Sequence, residues 1–327
     1  MRILHGIIEI AGQMGILCGE QKRRGHLSVG YNVFHSYLGY REHLINTDGF
    51  EIANTHKHMV NFFDLFHFHY GSSLLHDRRD LEQIQLRGKK MIMNHWGNDV
   101  RFHEQARLNN PYVYTGDSPP NAVIHQNLTQ INRYIRQAIV QDYEVYDYVA
   151  PYYDKVHVVP IAIDLSSFAP VYQPASNKKP LVLHAPTNPD FKGTHLIEKA
   201  ISELQQTHQF EYRRIERLNH EEAIKLYRDA DIIVDQIRCG SYGLLSVETM
   251  ALGKPVIAYI RDDLVSKFPA ELPIFNSNPD NIKDRIRILL EQPSLRQQLG
   301  MQGRKYVEKY HAKEVVVDQL ERIYATL

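Results

Sequence analysis

Cysteine and tryptophan are scarce in this 327-residue chain, with two of the first (Cys18 and Cys239) and one of the second. Two cysteines so far apart cannot make a disulfide framework, and they point to a reduced, cytoplasmic setting. No stretch approaches the roughly 18 apolar residues of a membrane-spanning helix. Peripheral contact with the inner membrane face stays open. The opening residues, Met1-Arg2-Ile3-Leu4-His5-Gly6, lack the apolar core of a signal peptide. Net charge is missing too: Lys+Arg is 38 and Asp+Glu is 38. That removes the global signal for nucleic acid, which is not expected as a partner. No short internal repeat is visible. What the chain has is 43% hydrophobic content, ordinary for a soluble globular protein, with 20 Tyr and 18 His. Aromatic and hydroxyl-bearing side chains suit sugar recognition. The length suits two domains.

Strand-like and helix-like segments alternate along the chain. Strands are expected at 2–10, 27–31, 63–69 and 90–95, and short ones at 145–149 and 156–160. Helices are expected after Gly15 to about 24, over 81–88 and over 127–143. The stretch 34–55 gives mixed signals. A polar run with three prolines, 169–180, reads as a linker. A second alternating series follows, with strands at 181–184, 210–215, 231–235 and 256–260. Its helices fall at 193–208, 221–230, 280–291, 294–300 and 304–327. Alternation predicts parallel sheets covered by helices. The expected fold is α/β, two Rossmann-like domains facing a cleft, over 1–164 and 181–309. Residues 165–180 link them, and a helix over 310–327 crosses back to the first domain.

The second half is organised around Gly240-Ser241-Tyr242-Gly243-Leu244-Leu245-Ser246-Val247-Glu248, between the strands 231–235 and 256–260. A glycine loop that opens a helix suits an anion, because the backbone approaches closely and free N–H groups point outward. Glu248 falls about one turn inside, in reach of a polar group beside that anion. The plainer alternative is a crossover helix with a relaxed entry. A second strand-to-helix loop, His184 to Thr194, carries Thr187 and Lys192, a hydroxyl and a point charge suited to phosphate. Ligands of doubly wound sheets bind at such strand ends.

These residues carry a resemblance. The order Lys192-Gly193, then Tyr227-Arg228-Asp229-Ala230-Asp231, then Gly243-Leu244, Glu248 and Gly253-Lys254-Pro255 resembles the donor domain of group 1 (family 4) glycosyltransferases of GT-B fold. The tail Gly303-Arg304-Lys305-Tyr306 and the segment 156–164 are similar to the same family. So are Phe66 to Gly71 and His95-Trp96-Gly97-Asn98-Asp99-Val100-Arg101. The resemblance implies retaining, metal-independent transfer of a sugar from a UDP- or GDP-linked donor, with no cofactor. It places the donor on the second domain and an unknown saccharide, lipid-linked or protein acceptor on the first. Synthesis of cell-surface or spore polysaccharide or glycoconjugate is a role that suits it. Glu248 would bind the donor ribose, the Gly243 and Leu244 N–H groups would hold the diphosphate, and Ser241 and Tyr242 would be donor-binding too. Lys192, with Thr187 beside it, would neutralise the diphosphate. Gly12 and Gln13 would meet donor phosphate and acceptor, and His95 would lie near the transferring sugar. Asn98, Asp99 and Arg101 would face the acceptor.

Two positions depart from the pattern. The family often has Glu-x7-Glu, and Gly240 stands where the first Glu, which touches the donor sugar, would be. Backbone around Ser241 and Tyr242, or Asp235 and Gln236, would then serve. No Arg accompanies Lys192 between 181 and 192, and Arg238 is the substitute in view. His67 and His69 share a strand face with no third metal ligand evident. Asp229 and Asp231 have Asp-x-Asp spacing at a helix–strand junction, which reads as structural. Lys22-Arg23-Arg24 and Lys89-Lys90 are basic clusters, either solvated or facing an anionic surface. Two other functions remain open: a catalytically silent nucleotide-sugar-binding protein, and a dinucleotide-dependent oxidoreductase. Gly12-Gln13-Met14-Gly15 lacks the full glycine fingerprint of the latter.

Overall fold

A computed structural model describes residues 1–327 except Ala175, Ser176 and Lys178, so that part of the expected linker lies outside the described residues. The chain forms two compact units. One holds Met1–Gln105, Thr115–Ala162 and Lys313–Leu327, and the other holds Ala106–Tyr114 and Ile163–Ala312. Nothing in the sequence marked Ala106–Tyr114 as part of the second unit.

In chain order the elements begin β1 (Arg2–Ile7), α1 (Gln13–Arg23), β2 (Leu27–Asn32), β3 (Leu44–Asn46), α2 (Gly49–Phe62), β4 (Leu65–His69), α3 (Arg79–Leu86) and β5 (Lys90–His95). Next come α4 (His103–Asn109), α5 (Asn121–Asn132), β6 (Gln137–Val140), α6 (Tyr143–Val149) and β7 (Lys155–Val158). The second series runs β8 (Leu181–His184), α7 (Pro189–Lys192), α8 (Thr194–Leu204), β9 (Glu211–Arg214), α9 (His220–Tyr227), β10 (Ile232–Val234), α10 (Leu244–Ala251) and β11 (Val256–Ala258). It ends with α11 (Asp262–Val265), β12 (Phe275–Asn276), α12 (Ile282–Glu291), α13 (Pro293–Tyr310) and α14 (Lys313–Thr326).

Three local expectations are corrected. Residues 145–149 are helical, because Asp142 caps α6 by accepting the N–H groups of Glu144 (3.0 Å) and Val145 (3.2 Å). The helix expected over 127–143 ends at Asn132, and Gln137–Val140 pairs in parallel between β5 and β7. The helix expected over 304–327 breaks at His311 and Ala312, so α13 and α14 are separate. The unparsed stretch 34–55 holds β3 and the start of α2. Asp48 caps that helix, accepting from Phe50 and Glu51 at 2.8 and 2.9 Å.

Both sheets are parallel throughout. The first has the order β3-β2-β1-β4-β5-β6-β7 and the second β12-β11-β10-β8-β9. Each order reverses once, between β1 and β4 in the first and between β8 and β10 in the second. Ligands of doubly wound sheets bind beyond the strand C-termini at these reversals. Each unit has its own core. In the first, α14 packs Val316, Val317, Leu320 and Tyr324 against Ile3, Leu65, Ile92 and Ile139 of the sheet. In the second, Ile197, Ile201 and Leu204 of α8 and Ile286 and Leu289 of α12 pack on Val182, Ile232, Val234 and Ile257. Each such side chain contributes about 1.5–3 kcal/mol on burial.

Candidate active site

At the reversal of the second sheet, the loops after β8 and β10 carry the residues singled out from the sequence. Lys192 ends α7, and its Nζ donates to Asp235 Oδ1 at 2.5 Å, with the lysine 8% exposed and the aspartate 0%. The other carboxylate oxygen of Asp235 accepts from Ser246 Oγ at 2.6 Å and from the Gly243 N–H at 3.3 Å. One carboxylate therefore fixes the lysine, the loop glycine and the first turn of α10. Burial pushes Asp235 up, but the Lys192 charge and these hydrogen bonds outweigh it and hold the group below its ordinary range. Gly243 is the N-cap of α10 and, like Leu244, is half-buried. The first-turn N–H groups of a helix have no partner within it and carry its positive dipole end.

Gln236 Nε2 donates to Ser241 O at 2.5 Å, and the Tyr242 hydroxyl lies 3.0 Å from His311 Nε2. Gln236, Ser241 and Tyr242 thus shape the loop from beneath. Glu248 is 4% exposed and pairs with His220 Nε2 at the start of α9. Thr187 is exposed in the loop ahead of α7. Arg238 donates to the carbonyls of Tyr112 (2.7 Å) and Asp190 (2.8 Å) and sits over the Tyr114 ring. In this conformation it braces the loop rather than supplying a second cation beside Lys192.

Gly240 has φ +93°, and a Cβ there would lie 3.3 Å from Arg261 and from the Asn110 amide. Asn110 is 1% exposed and donates to the carbonyls of Arg238 (2.7 Å) and Cys239 (3.0 Å). The Ala106–Tyr114 segment thus closes over the place where the family pattern would put its first carboxylate. Asp231 accepts from the Leu181 N–H and from Asn177 at 2.8 Å each, at the opposite end of β10 from the glycine loop. This is a structural use of the Asp-x-Asp pair.

In the first unit, Gln13 brackets Ala162, donating to its carbonyl at 3.0 Å and accepting its N–H at 2.8 Å. Gly12 is the N-cap of α1. The amides beyond it already face a carboxyl group, because buried Glu9 accepts from Met14 (3.3 Å) and Gly15 (3.1 Å). Burial pushes Glu9 up to about 8 against the pull of these backbone hydrogen bonds. His95 is 0% exposed. Its Nδ1 lies 2.6 Å from Asp99 Oδ2 and its Nε2 2.9 Å from the Tyr153 hydroxyl. Asp99 also accepts the N–H groups of Trp96 (3.0 Å) and Gly97 (3.1 Å), fixing the turn after β5. Arg101 bonds Asn98 and makes a buried two-pronged pair with Glu144 at 2.9 and 2.7 Å. His95 and Asp99 form one bonded set and Asn98, Arg101 and Glu144 a second, both built on the turn after β5.

His5 supplies the third member of a histidine cluster with His67 and His69, all fully buried. Hydrogen-bond direction sets its chemistry. Trp96 Nε1 can only donate, so His69 Nδ1 (3.3 Å away) accepts and His69 Nε2 carries the proton. That proton goes to His5 Nδ1 at 3.1 Å, and His5 Nε2 in turn donates to Gln21 Oε1 at 2.9 Å. Two of the three nitrogens a metal would use are thus a proton donor and an occupied acceptor. Burial pushes all three histidines down, His5 to about 4, so they remain neutral. The cluster reads as a hydrogen-bonded core rather than a metal site. Two members of the basic cluster at the end of α1 are paired: Arg24 with Glu20, Asp318 and Glu321, and Arg23 with Glu20.

Sequence reasoning missed Glu9, Tyr153 and His220. Glu9 had a usable signal, an acid at a strand end just before a glycine turn. His220 lies 28 positions before Glu248 on another helix, and only folding pairs them.

Residues 183–322 match a family described as glycosyl transferase-like. An uncharacterized glycosyltransferase of Methanocaldococcus jannaschii is 27% identical over 115 residues, which span 34% of this chain and 32% of that relative. Among solved structures, sucrose-phosphate synthase of Thermosynechococcus elongatus aligns with TM-score 0.63 and 16% identity, over 100% of this chain and 99% of its own. HepE of Anabaena, solved with UDP, aligns with TM-score 0.66 and 12% identity over 100% of both chains. Among the described residues, no helix is long and apolar enough to cross a membrane. Residues 183–322 match the glycosyl transferase-like family model, and the chain carries the GT-B fold of glycosyltransferases.

Proposed function

We propose that this chain is a retaining, metal-independent glycosyltransferase that takes its sugar from a UDP- or GDP-linked donor. The observation that carries the reading is the joint placement of Lys192, the α10 N-terminus and Glu248 at the reversal of the second sheet. A diphosphate at the α10 N-terminus meets the helix dipole and the Leu244 N–H, and the Gly243 N–H would turn to it from Asp235. Lys192, anchored by Asp235, adds a positive charge held in advance of the reaction. Glu248 then reaches the ribose hydroxyls. The binding of UDP and of UDP-glucose by HepE supports a uridine donor as the first to test.

In the transfer, the bond between the anomeric carbon and the phosphate oxygen breaks, and its electron pair leaves with the diphosphate. An acceptor hydroxyl forms the new bond on the same face, and its proton passes to the departing phosphate. Preorganised N–H groups and the Lys192 ammonium stabilise the charge that develops. Retention through a covalent enzyme intermediate would need two carboxylates flanking the sugar. Asp235 is committed to Lys192, Gly243 and Ser246, and Gly240 supplies no carboxylate. Both facts support same-face departure and attack.

Glu248→Ala and Lys192→Ala are each expected to weaken nucleotide-diphosphate binding at least tenfold by calorimetry, about 1.4 kcal/mol or more. Wild-type affinity in both variants would overturn the donor site. The Gly240 departure also favours a silent nucleotide-sugar-binding protein. Tight binding of a nucleotide sugar without slow hydrolysis would select that reading.

A further inference from the structure

The group that occupies Glu248 is His220. The Asn219 capping box fixes its backbone: Asn219 Oδ1 accepts the Glu222 N–H at 2.9 Å, and the Glu222 carboxylate accepts the Asn219 N–H at 3.3 Å. This sets the imidazole at the first position of α9, with Nε2 on Glu248 Oε1. The histidine side chain is 24% exposed and the glutamate 6%, so the imidazole is the more solvent-facing of the two. A carboxylate that binds a ribose diol offers one oxygen to each hydroxyl, and one of these oxygens is already taken.

We propose that His220 is a donor-site residue that holds the Glu248 carboxylate in the free protein and yields it to the ribose hydroxyls, so that donor binding releases a proton. The inference rests on the reading of Glu248 as the ribose ligand. Burial pulls the imidazole down, but the hydrogen bond and charge of Glu248 outweigh it and raise the group above its ordinary value, with Glu221 adding to the effect. Glu248 on α10 and Glu221 on its own helix are charged groups that raise this imidazole. When the diol takes Glu248, the burial remains and the main raising influence is gone. The imidazole then loses its proton.

The sign follows from linkage. The free protein holds the proton more tightly than the complex, so protons favour the free protein. Affinity is highest above the free-state pKa of His220. It falls about tenfold per pH unit below that value, until the lower pKa of the complex is reached. Histidine is the side chain whose charge ordinarily changes in this range.

The test is calorimetry with UDP-glucose, GDP-mannose and ADP-glucose from about pH 5.5 to 8.5, in buffers of different ionisation enthalpy, which counts protons directly. Nucleotide sugars are preferable to free diphosphates, whose terminal phosphate titrates near pH 6. The wild type is expected to release up to one proton and to bind more weakly as pH falls. His220→Gln, which keeps a donor that does not titrate, is expected to release none and to show a flat profile. The same slope in His220→Gln, or wild-type affinity that rises at low pH, overturns the inference. Should the variant fold poorly, the His220 ring resonance of the wild type is followed by NMR titration. Its pKa is expected to fall on saturation with the nucleotide sugar, and an unchanged pKa overturns the inference. If no nucleotide sugar binds at any pH, the donor-site reading falls and takes this inference with it. If one binds with pH-independent affinity, only the inference falls.

Discussion

Single residues at the donor loop act through partners that the sequence order hides. Asp235 stands next to Gln236 at the end of β10, yet its carboxylate holds Lys192, the Gly243 N–H and Ser246 together. The motif made Lys192 and Glu248 legible, because lysine and glutamate at those spacings suit a diphosphate and a ribose. It could not show that each has a protein partner, since side-chain pairing across 28 or 43 positions is set by packing. Gly240 is the sharpest case. The sequence registers a missing carboxylate, whereas the backbone at φ +93° and the packed Arg261 and Asn110 show why a side chain is disfavoured. Gly240→Glu would put a non-glycine residue into a strained region and push on a brace that is 1% exposed. The expected cost is about 1–3 kcal/mol, read as a melting temperature lower by several degrees. An unchanged melting temperature would show that Asn110 and Arg261 yield without cost.

At the scale of elements, alternation in the sequence located most strands and helices, because a buried parallel strand is a short apolar run and a covering helix is periodic. β8 was legible to the residue. The failures have local causes. In α6, Val145, Val149 and three tyrosines give a strand-like composition, while the Asp142 cap and the Arg101–Glu144 pair stabilise a helix. Strands β1 and β4 hide a further property. His5, His67 and His69 look like ordinary polar positions, but pairing of the strands stacks them in the core of the first unit. Their pKa values are depressed in the folded state, so the unfolded chain binds more protons as pH falls below about 6.5. Stability is therefore complete above that value and lost toward pH 4. His5 alone forfeits about 3 kcal/mol by its folded pKa of about 4. Circular dichroism melts from pH 7 to 4 are expected to show a steep fall. Replacing His5 with Gln should flatten part of it, and identical pH profiles in variant and wild type would sink the account.

At the scale of the whole molecule, the chain order and the unit order disagree. The first unit takes its last helix from the end of the sequence, and the second takes Ala106–Tyr114 from the middle of the first half. The break between α13 and α14 marks the return. Ile163 N–H bonds the His311 carbonyl at 2.8 Å just before α14 begins. From there α14 buries Val316, Val317, Leu320 and Tyr324 against the sheet of the first unit, and Lys90 Nζ bonds the Tyr324 carbonyl at 2.8 Å. Tyr324 is 0% exposed. Its hydroxyl lies 2.6 Å from His67 Nδ1 in a hydrogen bond and accepts from Gln21 at 3.4 Å. The last helix is thus part of the first unit's core and not an appendage. Two substitutions separate its packing from its hydrogen bonding. Tyr324→Phe keeps the ring and strands a buried histidine nitrogen, for an expected loss of about 1–3 kcal/mol. Tyr324→Ala also empties the volume of the ring, for about 3–5 kcal/mol. Urea denaturation of both should place alanine well below phenylalanine and both below the wild type. If both variants unfolded with the wild type, α14 would have no part in holding the first unit together. If phenylalanine alone matched the wild type, the helix would act by packing and the Tyr324–His67 hydrogen bond would contribute nothing.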